Sequence, residues 1–226
     1  MQQAYQALRV ISEAQTVHIV LAARPGELLL AELCTACEAL GAPGSSGIKA
    51  VVLDLAAQAG GQGESLATDV AVERARSALR AVPQPVLAVA RASLSSAACT
   101  LLADADFTLV AHEAELCLPG APESGDNRIR GAVAARLGYA TWNAPAASLD
   151  LELERILDML RAKSALALRH AKASARFAAS PNAGQTQLET LRLVNQFYLD
   201  NVTVTRDARE GPQAFLEKRP PRWQNR

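Results

Sequence analysis

Residues 84–120, QPVLAVARASLSSAACTLLADADFTLVAHEAELCLPG, decide how this chain folds. Pro85 to Ala90 is short, apolar and valine-containing, the pattern of a strand buried on both faces in a parallel sheet. A run of small residues, Ser93 to Ala98, then opens a helix that continues to Asp104. A helix start leaves N–H groups without partners and carries partial positive charge, so it can hold an anion or a developing oxyanion. Phe107 to Pro119 adds a second strand, an acidic turn and a short extended piece.

Working outward, Thr16 to Ala22 reads as an apolar strand, Gly26 to Leu40 as a helix and Ala42 to Gly47 as a loop of Gly, Pro and Ser. Ala50 to Leu55 is a second strand, Ala56 to Gly63 a loop, and Ser65 to Ala81 a helix ended by Val82-Pro83. Gly120 to Asn127 is polar and loop-like, and Arg128 to Leu137 is helical. Leu149 to Phe177 reads as one long helix and Gln185 to Asp200 as another. Strands alternating with helices early and helices alone later predict a parallel sheet followed by a helical region.

Several of these segments resemble the crotonase superfamily, the enoyl-CoA hydratase and isomerase family. Gln84-Pro85-Val86-Leu87-Ala88-Val89 is similar to the strand before that family's glycine-rich turn. Ala103-Asp104-Ala105-Asp106-Phe107-Thr108-Leu109-Val110 is similar to its Ala-Cys-Asp-Ile-Arg-Ile-Ala segment, with Asp106 at the Asp. Leu116-Cys117-Leu118-Pro119 stands where the family has Phe-Gly-Leu-Pro followed by Glu. Ile48 to Leu53 matches its second strand, and Thr205 to Gly211 with Ala214 to Arg219 matches its C-terminal signature. The resemblance implies an α/β fold, the crotonase (ClpP-like) ββα-spiral. Residues 1–145 would form the core and 146–226 a C-terminal helical region that packs across subunits and contacts coenzyme A, in one continuous fold.

The chemistry it implies is stabilisation of a thioester enolate by two backbone N–H groups. Ala97 matches the residue whose N–H points at the oxyanion, in a turn reading Ser95-Ser96-Ala97-Ala98 where the family has three glycines. A methyl group at that point limits how closely an acyl group approaches. The other donor falls in Gln58 to Glu64, with Gly63 the candidate, although the family's Ala-Gly-x-Asp pattern is not reproduced there. Hydration of a double bond needs a general base and a general acid. The two glutamate positions are occupied here by Thr100 and Gly120, neither of which exchanges protons near neutral pH. Glu123, three residues further on, is the nearest replacement, and a solvated loop acid is its other reading. Phe215 and Lys218 match the positions that in the family contact the adenine nucleotide end of coenzyme A. Between Gly138 and Leu149 the chain is short where family members carry further helices.

Composition narrows the partners. The 226 residues are 50% hydrophobic and carry 23 basic and 23 acidic side chains, so no global field points to nucleic acid or an anionic membrane. Cys34 and Cys37 form a C-x-x-C inside an apolar-periodic helix with no second Cys or His pair, which reads as two small buried residues and no metal site. His18, His112 and His170 lack orienting partners in sequence, and Ser95 reads as a helix cap. Neither a signal peptide nor a run of about 18 apolar residues is visible, so a cytoplasmic protein is expected. No bound cofactor is expected: coenzyme A arrives as part of the acyl-CoA thioester. The resemblance implies a homotrimer or homohexamer.

Three functions stay open. One is a divergent lyase or isomerase of fatty acid or aromatic acid metabolism that works through the oxyanion hole with an unusual or substrate-borne acid/base group. Another is a non-catalytic accessory or acyl-CoA-binding subunit. The last is a conventional hydratase in which Glu123 enters the pocket.

Overall fold

The computed structural model describes residues 5–21, 25–55, 67–117, 128–179 and 187–225. The strands are β1 (Leu8–Glu13), β2 (Thr16–Leu21), β3 (Ala50–Leu55), β4 (Val86–Ala90), β5 (Phe107–Ala111), β6 (Glu115–Cys117), β7 (Arg128–Arg130) and β8 (Trp142–Ala144). The helices are α1 (Glu27–Leu40), α2 (Asp69–Ala81), α3 (Ser96–Ala103), α4 (Gly131–Arg136), α5 (Leu149–Arg161), α6 (Ala165–Ala179), α7 (Gln187–Asn201) and α8 (Arg206–Leu216). Six strands form one sheet in the order β1-β2-β3-β4-β5-β8, and β6 pairs with β7 in a separate two-stranded ribbon. Every pairing from β2 to β8 in the large sheet is parallel. Only the edge pair β1–β2 is antiparallel.

β3 and β4 are buried at every position, which is why they read as unbroken apolar runs. Alternate side chains go to opposite faces. Val51, Leu53, Val86 and Ala88 pack with α1, α2 and α3, while Val52, Leu87 and Val89 pack with Leu153, Ile156 and Leu157 of α5. Each buried Leu or Ile contributes about 1.5–3 kcal/mol.

Asp106 fixes the start of this arrangement. It accepts from the Val86 N–H (2.8 Å) and from Lys172 Nζ (2.6 Å) and Arg176 Nη2 (2.9 Å), tying β4 to α6. Gly131 is a second fixed point, because a Cβ there would lie 2.1 Å from the Ala111 carbonyl oxygen. Cys34 and Cys37 are buried in α1, and burial pushes the Cys37 thiol up to about 12.

Three expectations are corrected, and two strands are present that the sequence reading leaves out. The stretch from Leu149 to Phe177 is two helices, α5 and α6, broken at residues 162–164. The break is built from far down the chain. Ser164 Oγ donates to buried Asp207 (2.5 Å), Trp223 Nε1 donates to the Ala162 carbonyl (2.8 Å), and Asn225 Oδ1 accepts from the Ala165 N–H (2.8 Å). Residues 128–130, expected as the start of a helix, are instead β7, because they complete the backbone pairing of β6. Of the helix expected over 65–81, the described residues from 67 onward are helical over Asp69–Ala81, and the Thr68 side chain caps the Ala71 N–H at 3.3 Å. Finally, β1 and β8 enter the sheet unannounced by any apolar run, and β8 occupies the short stretch between Gly138 and Leu149. No described helix is long and apolar enough to cross a membrane.

Candidate functional site

β4 delivers the chain to the carboxyl edge of the sheet, and the five residues before α3 are pinned on two sides. Arg91 Nε meets both oxygens of Asp54, at 3.0 and 2.9 Å, and its Nη1 meets Asp150 at 2.7 Å. One guanidinium therefore joins the ends of β3 and β4 to the first turn of α5. On the other side, Ser93 Oγ accepts from the Glu115 N–H (3.1 Å) and the Leu94 N–H donates to the Glu115 carbonyl (3.0 Å). Arg128 Nη2 donates to the Leu94 carbonyl at 3.2 Å, so both strands of the β6–β7 ribbon hold this turn.

The helix then starts as its sequence dictates. Ser95 is extended (φ −69°, ψ 164°) and its hydroxyl accepts from the Ala98 N–H at 3.3 Å. Its carbonyl accepts from the Cys99 N–H at 2.9 Å. The N–H groups of Ser96 and Ala97 make no hydrogen bond within the described residues. Ala97 is half-buried, at the positive end of α3. A preorganised donor of this kind favours negative charge that develops on a bound carbonyl.

Thr100, at the first glutamate position, lies one turn further along α3. Its hydroxyl donates to the Ser96 carbonyl at 3.0 Å, a helical back-bond that occupies its only proton. The structure thus brings Ala97 and Thr100 together on one helix. Gly63, Gly120 and Glu123 lie outside the described residues. Residues 118–127 connect Cys117 to Arg128, which are paired across the β6–β7 ribbon. Phe215 and Lys218 sit apart, at the end of α8, where Phe215 is 84% exposed. No hydrogen bond or ion pair among the described residues joins them to α3.

A cavity of about 220 Å³ lies alongside α3, lined mainly by Cys99, Leu102, Leu116, Cys117, Ile129 and Tyr139. The Cys117 N–H donates to Cys99 Sγ (3.1 Å), and burial pushes the Cys99 thiol up to about 12. That thiol is a wall rather than a nucleophile.

The anchors of the turn, Arg91, Asp54, Ser93 and Arg128, are absent from the sequence-based expectations. One signal was available. Asp54 is a carboxylate inside the apolar strand AVVLDL, and a charge buried in a strand requires a partner. Nothing local says that the partner is Arg91.

A parallel sheet whose fourth strand feeds a pinned helix start, followed by late helices, is the architecture of the crotonase fold. Particular solved structures share it over their full length. An enoyl-CoA hydratase from Mycobacterium smegmatis superposes with a TM-score of 0.76 at 21% identity, covering 96% of this chain and 99% of that one. An enoyl-CoA hydratase from Bacillus anthracis gives 0.76 at 21% identity, covering 98% and 100%. An enoyl-CoA hydratase/carnitine racemase from Magnetospirillum magneticum gives 0.78 at 18% identity, covering 99% and 97%. At these identities the likeness establishes the fold. No family model matches the sequence, and no curated protein matches it significantly.

Proposed function

We propose that this chain is a divergent crotonase-type enzyme. It binds an acyl-CoA thioester and stabilises the enolate of its acyl group with backbone N–H groups, without the glutamate pair of a hydratase. The observation that carries this reading is the open Ala97 N–H, held at the start of α3 by the Ser95 cap and by the contacts of Leu94 with Glu115 and Arg128. The second donor is assigned to Gly63 in the 56–66 connection after β3.

With Thr100 committed to a backbone carbonyl, an acid/base group must come from elsewhere. Isomerisation, decarboxylation and thioester hydrolysis can each proceed with a substrate-borne group, with water, or with Glu123. Phe215 and Lys218 are assigned to the nucleotide end of coenzyme A, Lys218 as a mobile point charge for a phosphate. Their exposure leaves them open to a ligand held by a neighbouring copy. Assembly as a homotrimer or homohexamer is part of the same reading. It is supported by α7, which buries none of its own residues and exposes Leu188, Leu191 and Tyr198 by more than half.

A panel of acyl-CoA thioesters, followed by mass spectrometry for loss of CoA, water or carbon dioxide, tests the proposal. Turnover of one class of thioester is expected. A panel that stays silent while coenzyme A still binds would replace this reading with the accessory-subunit one, which the occupied Thr100 hydroxyl favours. Loss of water-adding activity in Glu123→Gln would instead establish a conventional hydratase.

A further inference from the structure

We propose that the groove between the C-terminal end of α2 and α6 is a binding site for a phosphate-class anion, with Arg169 as its principal ligand. The groove has a volume of about 340 Å³, and its wall includes Arg80, Pro83, Arg169, His170, Lys172 and Arg176. It lies at the opposite end of β4 from Ala97. Pro83 precedes that strand and α3 follows it, so the five residues of β4 alone separate the two places by about 17 Å. The proposal is therefore independent of the thioester reading.

The argument is one of charge balance. Arg80 pairs with Asp104 at 2.7 Å, and Asp104 is shared with Arg76 at 2.5 Å. Lys172 and Arg176 share Asp106, at 2.6 and 2.9 Å. Two carboxylates thus serve three of the four cations of the wall, one of them already divided with a fifth cation, Arg76. Arg169 pairs with no carboxylate among the described residues. Its Nη2 donates to the Ser45 carbonyl, and its Nε is buried without an acceptor. Residues 180–186, which follow α6 in sequence, contain no acidic residue.

A half-buried guanidinium walled by other cations is costly to hold charged, and burial accordingly lowers the Arg169 pKa from its ordinary value. Gln84 Oε1 is also buried and unpartnered, in an amide whose Nε2 lies 3.3 Å from the Ser45 carbonyl. Being neutral, it leaves the charge on Arg169 uncompensated. A doubly charged tetrahedral anion supplies what is missing, since guanidinium groups bind phosphate oxygens through charge-assisted, paired hydrogen bonds. The anion is either free phosphate or the phosphate group of a larger ligand.

Isothermal titration at constant ionic strength, with inorganic phosphate in one arm and adenosine 5′-monophosphate in the other, separates these sources. Saturable binding to the wild-type chain is expected in at least one arm, weakened about tenfold or more in Arg169→Gln by loss of a charge-assisted contact. Much tighter binding of the monophosphate assigns the site to a phosphorylated ligand, and equal binding assigns it to free phosphate. No saturable binding to the wild type overturns the proposal, as does undiminished affinity in Arg169→Gln. Should Arg169→Gln fail to fold, Arg80→Gln on the exposed rim decides in its place: weakened binding supports the site, and unchanged binding overturns it.

Discussion

Arg91 closes on Asp54 with its Nε between the two carboxylate oxygens, at 3.0 and 2.9 Å, joining the strand ends from which both oxyanion donors are proposed to depart. The carboxylate is nearly buried and the guanidinium is 29% exposed. Removing one member of such a pair leaves an uncompensated charge, which costs more than the pair itself contributes. Arg91→Ala is expected to lower unfolding free energy by about 2 kcal/mol or more, below the range for fully buried pairs because solvent still reaches Arg91. Asp54→Asn combined with Arg91→Ala should recover part of that loss. Urea titration of the two single variants and the double variant measures it, and strictly additive losses would mean that the two side chains do not act as a pair.

Gly131 offers a sharper test of the packing. A Cβ at this position would meet the Ala111 carbonyl oxygen at 2.1 Å and Val110 Cγ2 at 3.0 Å, and backbone cannot yield as a flexible side chain does. Gly131→Ala should cost about 3 kcal/mol or more, the scale of severe overpacking. At Gly138, φ is +82° with open space around the missing Cβ, so Gly138→Ala should cost only the left-handed penalty of about 1–2 kcal/mol. Denaturation midpoints of the two variants should fall in that order.

How much of this was legible beforehand follows the range of the interactions. β4, α3 and β5 are encoded locally, by an unbroken apolar strand, a serine cap and a second apolar strand, and the structure places them accordingly. The break between α5 and α6 is not local. Periodicity runs straight through Ala162-Lys163-Ser164, and the partners that end the helix, Asp207, Trp223 and Asn225, lie more than forty residues away. β7 is three residues long and exists because β6 lies beside it, while β1 buries only Leu8 and so carries no alternating signal. The site divides in the same way. Ala97 follows from the helix start, whereas the Arg91–Asp54 and Arg128–Leu94 contacts that hold the turn join residues 37 and 34 positions apart.

Acid should release the C-terminal tail before it unfolds the sheet. Glu210 accepts from Arg219 (2.6 and 3.1 Å) and from the Arg222 N–H (2.6 Å), and these bonds, Arg219 first, hold its pKa down at about 2. A depressed carboxylate contributes stability that is fully present above its unfolded pKa and is lost as pH falls through its folded one. The window here runs from about pH 4.5 down to about 2. Trp223, whose indole donates to the Ala162 carbonyl, reports the change. Its fluorescence should shift across that window in the wild type, and the shift should be absent from Glu210→Gln, in which the tail is loosened at every pH.

Lys218 separates binding from stability. It sits at φ +52°, the left-handed position just past the end of α8, where glycine is the usual residue. Glycine there would relieve about 1 kcal/mol of strain. Lys218→Gly is therefore expected to hold or raise the thermal midpoint while weakening coenzyme A binding. Phe215→Ala should also weaken binding with little effect on stability, since Phe215 is 84% exposed. Unchanged coenzyme A affinity in both variants would remove these two residues from the site.

The Ala97 N–H is tested by replacing residues whose side chains do little. Proline at Ser96 suits the helix start, because Ser95 is already extended (ψ 164°), so Ser96→Pro should stay folded and keep the Ala97 donor. Ala97→Pro deletes that donor at a position where no intrahelical bond is lost, although it disfavours helical dihedrals at Ser96. Loss of one oxyanion donor costs about 10²–10³ in kcat. Ala97→Gly removes the methyl group that limits approach of an acyl group and should improve turnover or affinity, against about 1 kcal/mol of helix stability. Measured on whichever thioester the panel identifies, kcat is expected to rank Ala97→Gly at or above wild type, Ser96→Pro near it and Ala97→Pro far below. Full turnover in a folded Ala97→Pro would show that no charge develops against this amide, and the chemistry would have to be sought away from the start of α3.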